Sequence, residues 1–295
     1  MIDENRSFYG VEKLNLKDIE SLETAGSISM YGCGAVALSE VTKYLPKNSS
    51  LILHDCELPS TLRIESSGTD IEIVQGQGGC TVIAEQELRS FKLYLSQSSS
   101  VTFQTHANFE VLAVKGTADL VKNFLDDSCR CINTQNLLCW VRGSELVEGT
   151  LVSIRSCLPK NSLKLVGSIL SGLCLPDLSD LSCDELDLAI AFWNKVTVQT
   201  EVINRLPRCF SLRLPVVFLD ERFIEYLDSS ESVSLLHVHS FQSVDGGTPI
   251  STFSGEISVS QTTFQAAGEL SKCFPRARLT MSPQRIWPDA RMWRA

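Results

Sequence analysis

The chain lacks a long hydrophobic run, a basic and apolar leader, and a regular spacing of cysteines. Its 295 residues are 43% hydrophobic, but the longest apolar runs are short stretches such as 111–114. Crossing a bilayer takes about 20 apolar residues in succession. Residues 1–5 show neither block of a secretory signal. We therefore expect a cytoplasmic protein without a membrane partner, long enough for two domains of about 150 residues each.

Paired cysteines and excess basic charge are also missing. The eleven cysteines are odd in number and scattered, which predicts reduced and mostly buried thiols. The formal net charge of −9 disfavours nucleic acid and anionic membrane as partners, because both are bound through Lys and Arg. Residues 272–295 are the exception, with six basic residues against Asp289. We interpret them as a solvated tail or a segment docked on an acidic face, which leaves a homo-oligomer open.

The first informative pattern is a strand, a glycine turn, a helix and a second strand over residues 27–55. Gly32 and Gly34 follow an apolar strand, Ala37 lies in the predicted helix that ends before Pro46, and Asp55 ends the next strand. In a dinucleotide site, such glycines form the turn and admit a pyrophosphate to the helix N-terminus, and the carboxylate binds a ribose diol. This spacing predicts a cofactor site that favours NAD, because Asp55 would repel the 2′-phosphate of NADP.

Residues 61–106 have a different pattern, with short alternating runs about ten residues apart and polar turns between them. Alternation predicts half-buried strands. Their even spacing is typical of either an antiparallel meander or a solenoid. After them, residues 109–114 predict a buried strand, and residues 117–125 predict a helix.

The second half of the chain is predicted to begin after a linker rich in Pro, Asp and Ser near residues 170–182. Ser182 and Glu185 form a capping-box pattern, and Leu186, Ile190 and Trp193 predict one face of a helix that runs to about Asn204. We divide the chain into an N-terminal extension (1–26), a Rossmann-like domain with an inserted β-rich segment (27–170) and a smaller α+β domain (171–295).

The order of these pieces resembles the ketopantoate reductase family. The resemblance is carried by residues 32–37, 109–115, 135–137 and the run from Trp193 to Gln199. It implies an NAD(P)-dependent reductase that acts on a small oxo acid or a related carbonyl compound. It further implies Lys195 as the general acid, Asn136 near cofactor and substrate, Glu256 as a substrate ligand and Lys115 at the cofactor, beside Gly32, Gly34, Ala37 and Asp55. The chain departs from the family pattern at Ala37, Leu137 and Gln199.

Two other interpretations of the chain stay open. Residues 80–89 resemble a coil of the tubulin cofactor C-like β-helix domains, which implies a non-catalytic β-rich scaffold or a small-GTPase-binding module with Arg89 as its arginine. The resemblance does not account for the helix at 34–45. A glycine turn followed by an acidic residue also suits S-adenosylmethionine in a methyltransferase, although Met30 stands where such enzymes often carry an acid.

Overall fold

The structure is a computed structural model, and it describes residues 4–104, 107–128, 130–142, 162–167, 184–190, 197–198, 209–243, 250–260 and 264–281. The chain divides into two compact units, Met1–Pro159 and Lys160–Ala295. The predicted linker at 170–182 lies outside the described residues. Within them, no helix is long and apolar enough to span a membrane.

The described residues of the first unit form ten strands and three helices. In chain order they are β1 (Glu4–Tyr9), α1 (Leu16–Leu22), β2 (Ala25–Tyr31), α2 (Ala35–Lys43), β3 (Ser50–His54), β4 (Thr61–Ile64), β5 (Asp70–Val74), β6 (Gly78–Ala84), β7 (Leu88–Tyr94), β8 (Ser99–Phe103), β9 (Ala107–Thr117), α3 (Ala118–Ser128) and β10 (Ile132–Arg142). The helix predicted before Pro46 and the helix predicted over 117–125 are confirmed as α2 and α3. Residues 1–26, predicted as an extension, contribute β1 and α1.

Seven strands of the first unit form a main sheet in the order β1-β2-β3-β5-β7-β9-β10, and β4, β6 and β8 form a short sheet. Every described pairing in both sheets is parallel. Ser50, Asp70 and Ser90 are paired in register across three strands, so one turn of chain, here called a coil, takes 20 residues at this point. A meander would pair its strands antiparallel, so the β-rich segment is a solenoid.

The solenoid core lies between the inner face of the main sheet and the elements opposite it. Ile28, Leu51, Ile71 and Phe91 of the main sheet are fully buried, as are Leu62 and Val82 of the short sheet. The Phe91 ring meets Phe103 of the short sheet at 5.3 Å between centroids, and Phe103 meets Phe124 of α3 at 6.1 Å. Along each strand of the main sheet, every second side chain therefore points into this core, and the side chains between them face outward.

The described part of the second unit contains seven strands and two helices. Its elements are β11 (Ser162–Gly167), β12 (Glu185–Ile190), β13 (Thr197–Val198), β14 (Ser211–Leu219), α4 (Glu221–Ser229), β15 (Leu235–Ser243), β16 (Glu256–Val259), α5 (Phe264–Cys273) and β17 (Arg278–Met281). All described pairings are parallel. The expected α+β pattern is therefore corrected to α/β for the described part, because α4 and α5 each connect parallel strands.

The helix predicted from Ser182 to Asn204 is wrong over its described part, where residues 185–190 form β12. Leu186, Leu188 and Ile190 alternate with polar or small residues, which is the spacing of a strand. Leu186 and Ile190 are also four residues apart, which is the spacing of a helix. Parallel pairing with β11 and β14 decides between the two. The local spacing of apolar residues gives no information about those long-range hydrogen bonds, so it could not decide between helix and strand.

Candidate functional site

The predicted cofactor turn is bonded to the preceding segment of its own chain. The Gly34 N–H donates to the Val11 carbonyl at 3.0 Å, and the Ala37 N–H donates to the Glu12 carbonyl at 3.1 Å. Gly34 is the N-cap residue of α2 and is buried. A Cβ built on Gly34 would collide with the Glu12 carboxylate. The first turn of α2 therefore faces a carboxylate and two carbonyls of the chain where a pyrophosphate would bind.

Gly32 and Asp55 occupy equivalent corners of successive coils. Gly10, Gly32, Asp55 and Gln75 follow the last residues of β1, β2, β3 and β5, and all four have φ between +50° and +60°. The Gly32 N–H donates to the His54 carbonyl at 2.9 Å, and the Asp55 N–H donates to the Val74 carbonyl at 3.0 Å. Because the left-handed conformation recurs at each corner, the solenoid itself accounts for the glycine at position 32.

The other predicted site residues lie apart from this turn. Lys115 is on β9. In the main sheet, three strands lie between β9 and β2, namely β3, β5 and β7. Asn136 lies on β10 and donates from Nδ2 to the Glu110 carbonyl at 2.9 Å. Glu256 lies in the second unit and accepts from Thr280 Oγ1 at 3.1 Å. Lys195 lies outside the described residues. Of the predicted set, the structure brings together Gly32, Gly34, Ala37 and Asp55.

Arg89, the candidate arginine of a GTPase-binding coil, is held by a carboxylate of the preceding coil. Its Nε donates to both Asp70 carboxylate oxygens at 3.0 Å, and Nη2 donates to Oδ2. Ser90 Oγ donates to the same carboxylate at 2.7 Å. Burial alone would raise the pKa of Asp70, but the hydrogen bonds from Arg89 and Ser90 outweigh it and the pKa is lowered. The arginine is therefore already paired.

Sequence reasoning missed the regular outer face of the main sheet. The side chains that alternate with the core residues stand in three rows across the coils. The row at the carboxyl ends of the strands consists of Tyr9, Tyr31, His54, Val74, Tyr94, Lys115 and Trp140. Each strand is ordinary by itself, and only the register between coils aligns these side chains.

The part of this face on β1, β2 and β3, here called the open half, is accessible. Its row at the carboxyl ends is a stack in which the Tyr9 and Tyr31 rings lie 4.9 Å apart and the Tyr31 and His54 rings 4.8 Å apart, both nearly parallel. Tyr9 is 70% exposed. The remaining outward side chains of the open half are small or uncharged: Asn5, Ser7, Ser27, Ser29, Ser50 and Ile52.

The part on β7, β9 and β10, here called the covered half, is largely buried. Ala113 is 0% exposed and Lys115 is 6% exposed although both point to the outer side. The Lys115 ammonium lies 4.8 Å from the centre of the Tyr94 ring and 4.4 Å from that of Trp140. Cation–π attraction of this kind strengthens when the cation is desolvated. Lys115 thus holds two aromatic rings within the fold.

Metal-binding and thiol chemistry find little support among the described residues. They include no group of three or more His, Cys, Asp or Glu placed to hold a metal ion. The seven described cysteines are free thiols, and six of them are buried. Burial raises the pKa of Cys80 to about 11, which leaves its thiol protonated and poorly nucleophilic at neutral pH. The six buried thiols therefore act as core side chains.

Comparisons with family models, with curated proteins and with solved structures find no match to the chain.

Proposed function

We propose that this protein is a non-catalytic binding scaffold whose first unit presents the open half to a partner protein. One observation carries the proposal, namely the stack of Tyr9, Tyr31 and His54 on paired strands, in which Tyr9 is exposed and Tyr31 and His54 are half-buried. Tyrosine and serine are enriched in the antigen-binding loops of antibodies, because tyrosine offers contact area at low entropic cost and serine offers adaptable hydrogen bonds. A solenoid supplies the extended rigid surface such recognition uses.

The geometry of the glycine turn supports a scaffold over a reductase. Glu12 and Val11 already occupy the N-terminus of α2, and Asp55 has the backbone role of a coil corner. A Rossmann-like domain binds its cofactor where the strand order reverses, whereas the described strands of the first unit follow one another across the main sheet without reversal. The NAD(P)-dependent reductase and the methyltransferase stay predictions. Each of these enzymes would act on a small-molecule substrate, which a scaffold does not need.

The ion pair of Arg89 with Asp70 favours a scaffold without an arginine that enters a GTPase. Delivering Arg89 to a bound nucleotide would break a bidentate pair between adjacent coils. Such a pair fixes the guanidinium in one geometry. We therefore assign Arg89 to the solenoid and the recognition surface to the open half.

Two experiments test the scaffold. Isothermal titration of the full chain with NADH, NADPH and S-adenosylmethionine should show no binding, and saturable binding of any of them would restore the matching enzyme. In the second experiment, a photo-crosslinking amino acid replaces Ser29 at the centre of the open half, and the matched control carries it at the exposed Glu65 beside the short sheet. We expect a discrete crosslinked product in cells from position 29 alone, and equal labelling at both positions would contradict the proposal.

A further inference from the structure

The segments that follow β1 and β3, at the edge of the open half, carry three acidic side chains that form no ion pair with a described residue. Glu12, Asp55 and Glu57 are exposed, and none forms an ion pair with a described residue. Lys13 is the basic residue in the segment that follows β1. The outward side chains of β1, β2 and β3 include no Lys or Arg. The open half therefore has an excess of negative charge along one edge.

All three acids lie in the segments that follow the carboxyl ends of β1 and β3, the ends at which the aromatic row stands. Asp55 directly follows His54. The Glu57 N–H donates to the Cys33 carbonyl at 3.0 Å, which ties it to the coil of Tyr31. The Glu12 carboxylate lies over Gly34 of the same coil. All three acids thus stand at the carboxyl ends of the strands that carry the stack.

The covered half shows what this row holds when it is complete. There, in the same row of the same sheet, the Lys115 ammonium lies between the Tyr94 and Trp140 rings. The corresponding positions of the open half are Tyr9, Tyr31 and His54, and the outward side chains of its three strands include no Lys or Arg. An arginine pairs with carboxylates through two parallel hydrogen bonds and stacks on aromatic faces, so both features suit a cationic side chain from outside.

We propose that the open half binds an extended, arginine- or lysine-bearing segment of a partner protein, its cations placed between the aromatic row and Glu12, Asp55 and Glu57. The inference rests on the proposed scaffold function and adds the chemistry of the partner. Charge complementarity selects a basic segment, and the uncharged Ser and Asn side chains of the other two rows supply hydrogen bonds to its backbone.

The probe is a fluorescent peptide of six Arg-Ser repeats, titrated into the full chain at physiological salt and followed by anisotropy. Glu57→Gln should weaken binding about fivefold, as expected for the loss of one partly exposed charge-assisted contact. Tyr31→Ala should weaken it by about tenfold through loss of the central ring. The matched control is Glu65→Gln, which removes one exposed carboxylate away from the open half and should change affinity less than twofold.

Three outcomes separate this inference from the scaffold itself. Equal weakening by Glu57→Gln and Glu65→Gln would mean general attraction to the net charge of −9 and would overturn the inference. Absence of peptide binding together with a crosslinked partner at position 29 would overturn the basic partner and keep the scaffold. Absence of both would overturn both. Circular dichroism of each variant, expected to match the parent, confirms that lost binding is not lost folding.

Discussion

The open and covered halves of the outer face belong to one sheet and one register, yet they differ in exposure. Tyr9 is 70% exposed at one end of the row, and Lys115 is 6% exposed toward the other. Both halves bring aromatic rings together in this row. Composition alone therefore does not separate a binding surface from a structural contact. The covered half therefore contributes contacts that stabilise the fold, whereas the open half is the part that we propose binds a partner.

The largest expected effect comes from the core that both halves share. Phe91 is fully buried and contacts Phe103 and Phe109 at 5.3 and 5.7 Å between ring centroids. Phe91→Ala should lower the free energy of unfolding by about 3–5 kcal/mol, because it removes buried contacts and leaves a cavity. Urea denaturation measures it. Tyr9→Ala on the open half is the control, expected within about 0.5 kcal/mol of the parent, and equal effects would end the distinction between core and open half.

The next effect tests whether the covered half is structural. Lys115→Ala should lower the free energy of unfolding by about 2 kcal/mol, since it removes a buried cation held between two rings. Hydrogen exchange of β9 and β10 amides would locate the loss. The corresponding change in the open half, His54→Ala, should cost less than half as much because His54 is only partly buried. A larger loss for His54→Ala would reverse the assignment of the two halves.

A smaller effect concerns the corners beside the open half. Gly32→Ala should cost about 1–2 kcal/mol, because φ is +59° and an alanine side chain disfavours that conformation although no atom lies within 4 Å of its Cβ. Asp55→Gly at the equivalent corner should stay within about 0.5 kcal/mol of the parent, since relief of backbone strain is offset by greater freedom of the unfolded chain. Thermal unfolding compares the two, and a Gly32→Ala variant as stable as the parent would contradict the corner assignment.

Sequence reasoning predicted the local elements better than their assembly. The strand, turn and helix of residues 27–45 and the helix after Lys115 were predictable because their apolar spacing and the Pro46 stop are local signals. The choice between a meander and a solenoid was not, because it depends on hydrogen bonds between residues about 20 positions apart. The equivalence of Gly32 and Asp55 was also hidden, since corners with one backbone conformation carry different side chains.

The candidate site was harder to predict for the same reason. The residues of the glycine turn are close together in sequence, so a dinucleotide pattern could be proposed from spacing alone. The carboxylate that fills the space above Gly34 comes from Glu12, more than twenty residues earlier, and no local pattern indicates it. The row of Tyr9, Tyr31 and His54 becomes one surface only through the register of three strands.

The smallest predicted effect lies at the boundary between the halves, where Asp70 of β5 pairs with Arg89 of β7. Asp70→Asn should lower the free energy of unfolding at pH 7 by about 0.5–1 kcal/mol, a modest value because both side chains are partly exposed. Since the pKa of Asp70 is lower in the folded chain than its ordinary value of 3.8, the stabilisation is complete above that value and is lost as the pH falls through the folded pKa.

Urea denaturation of the parent and Asp70→Asn chains between pH 7 and pH 3 tests this dependence. The two curves should be separated at pH 7 and converge toward pH 3, because protonation of Asp70 removes in the parent the charge that the substitution removes in the variant. A separation that stays constant over this range would show that the carboxylate contributes through shape rather than charge. Arg89 would then be free to leave Asp70 at little cost, which would reopen its role in binding a partner.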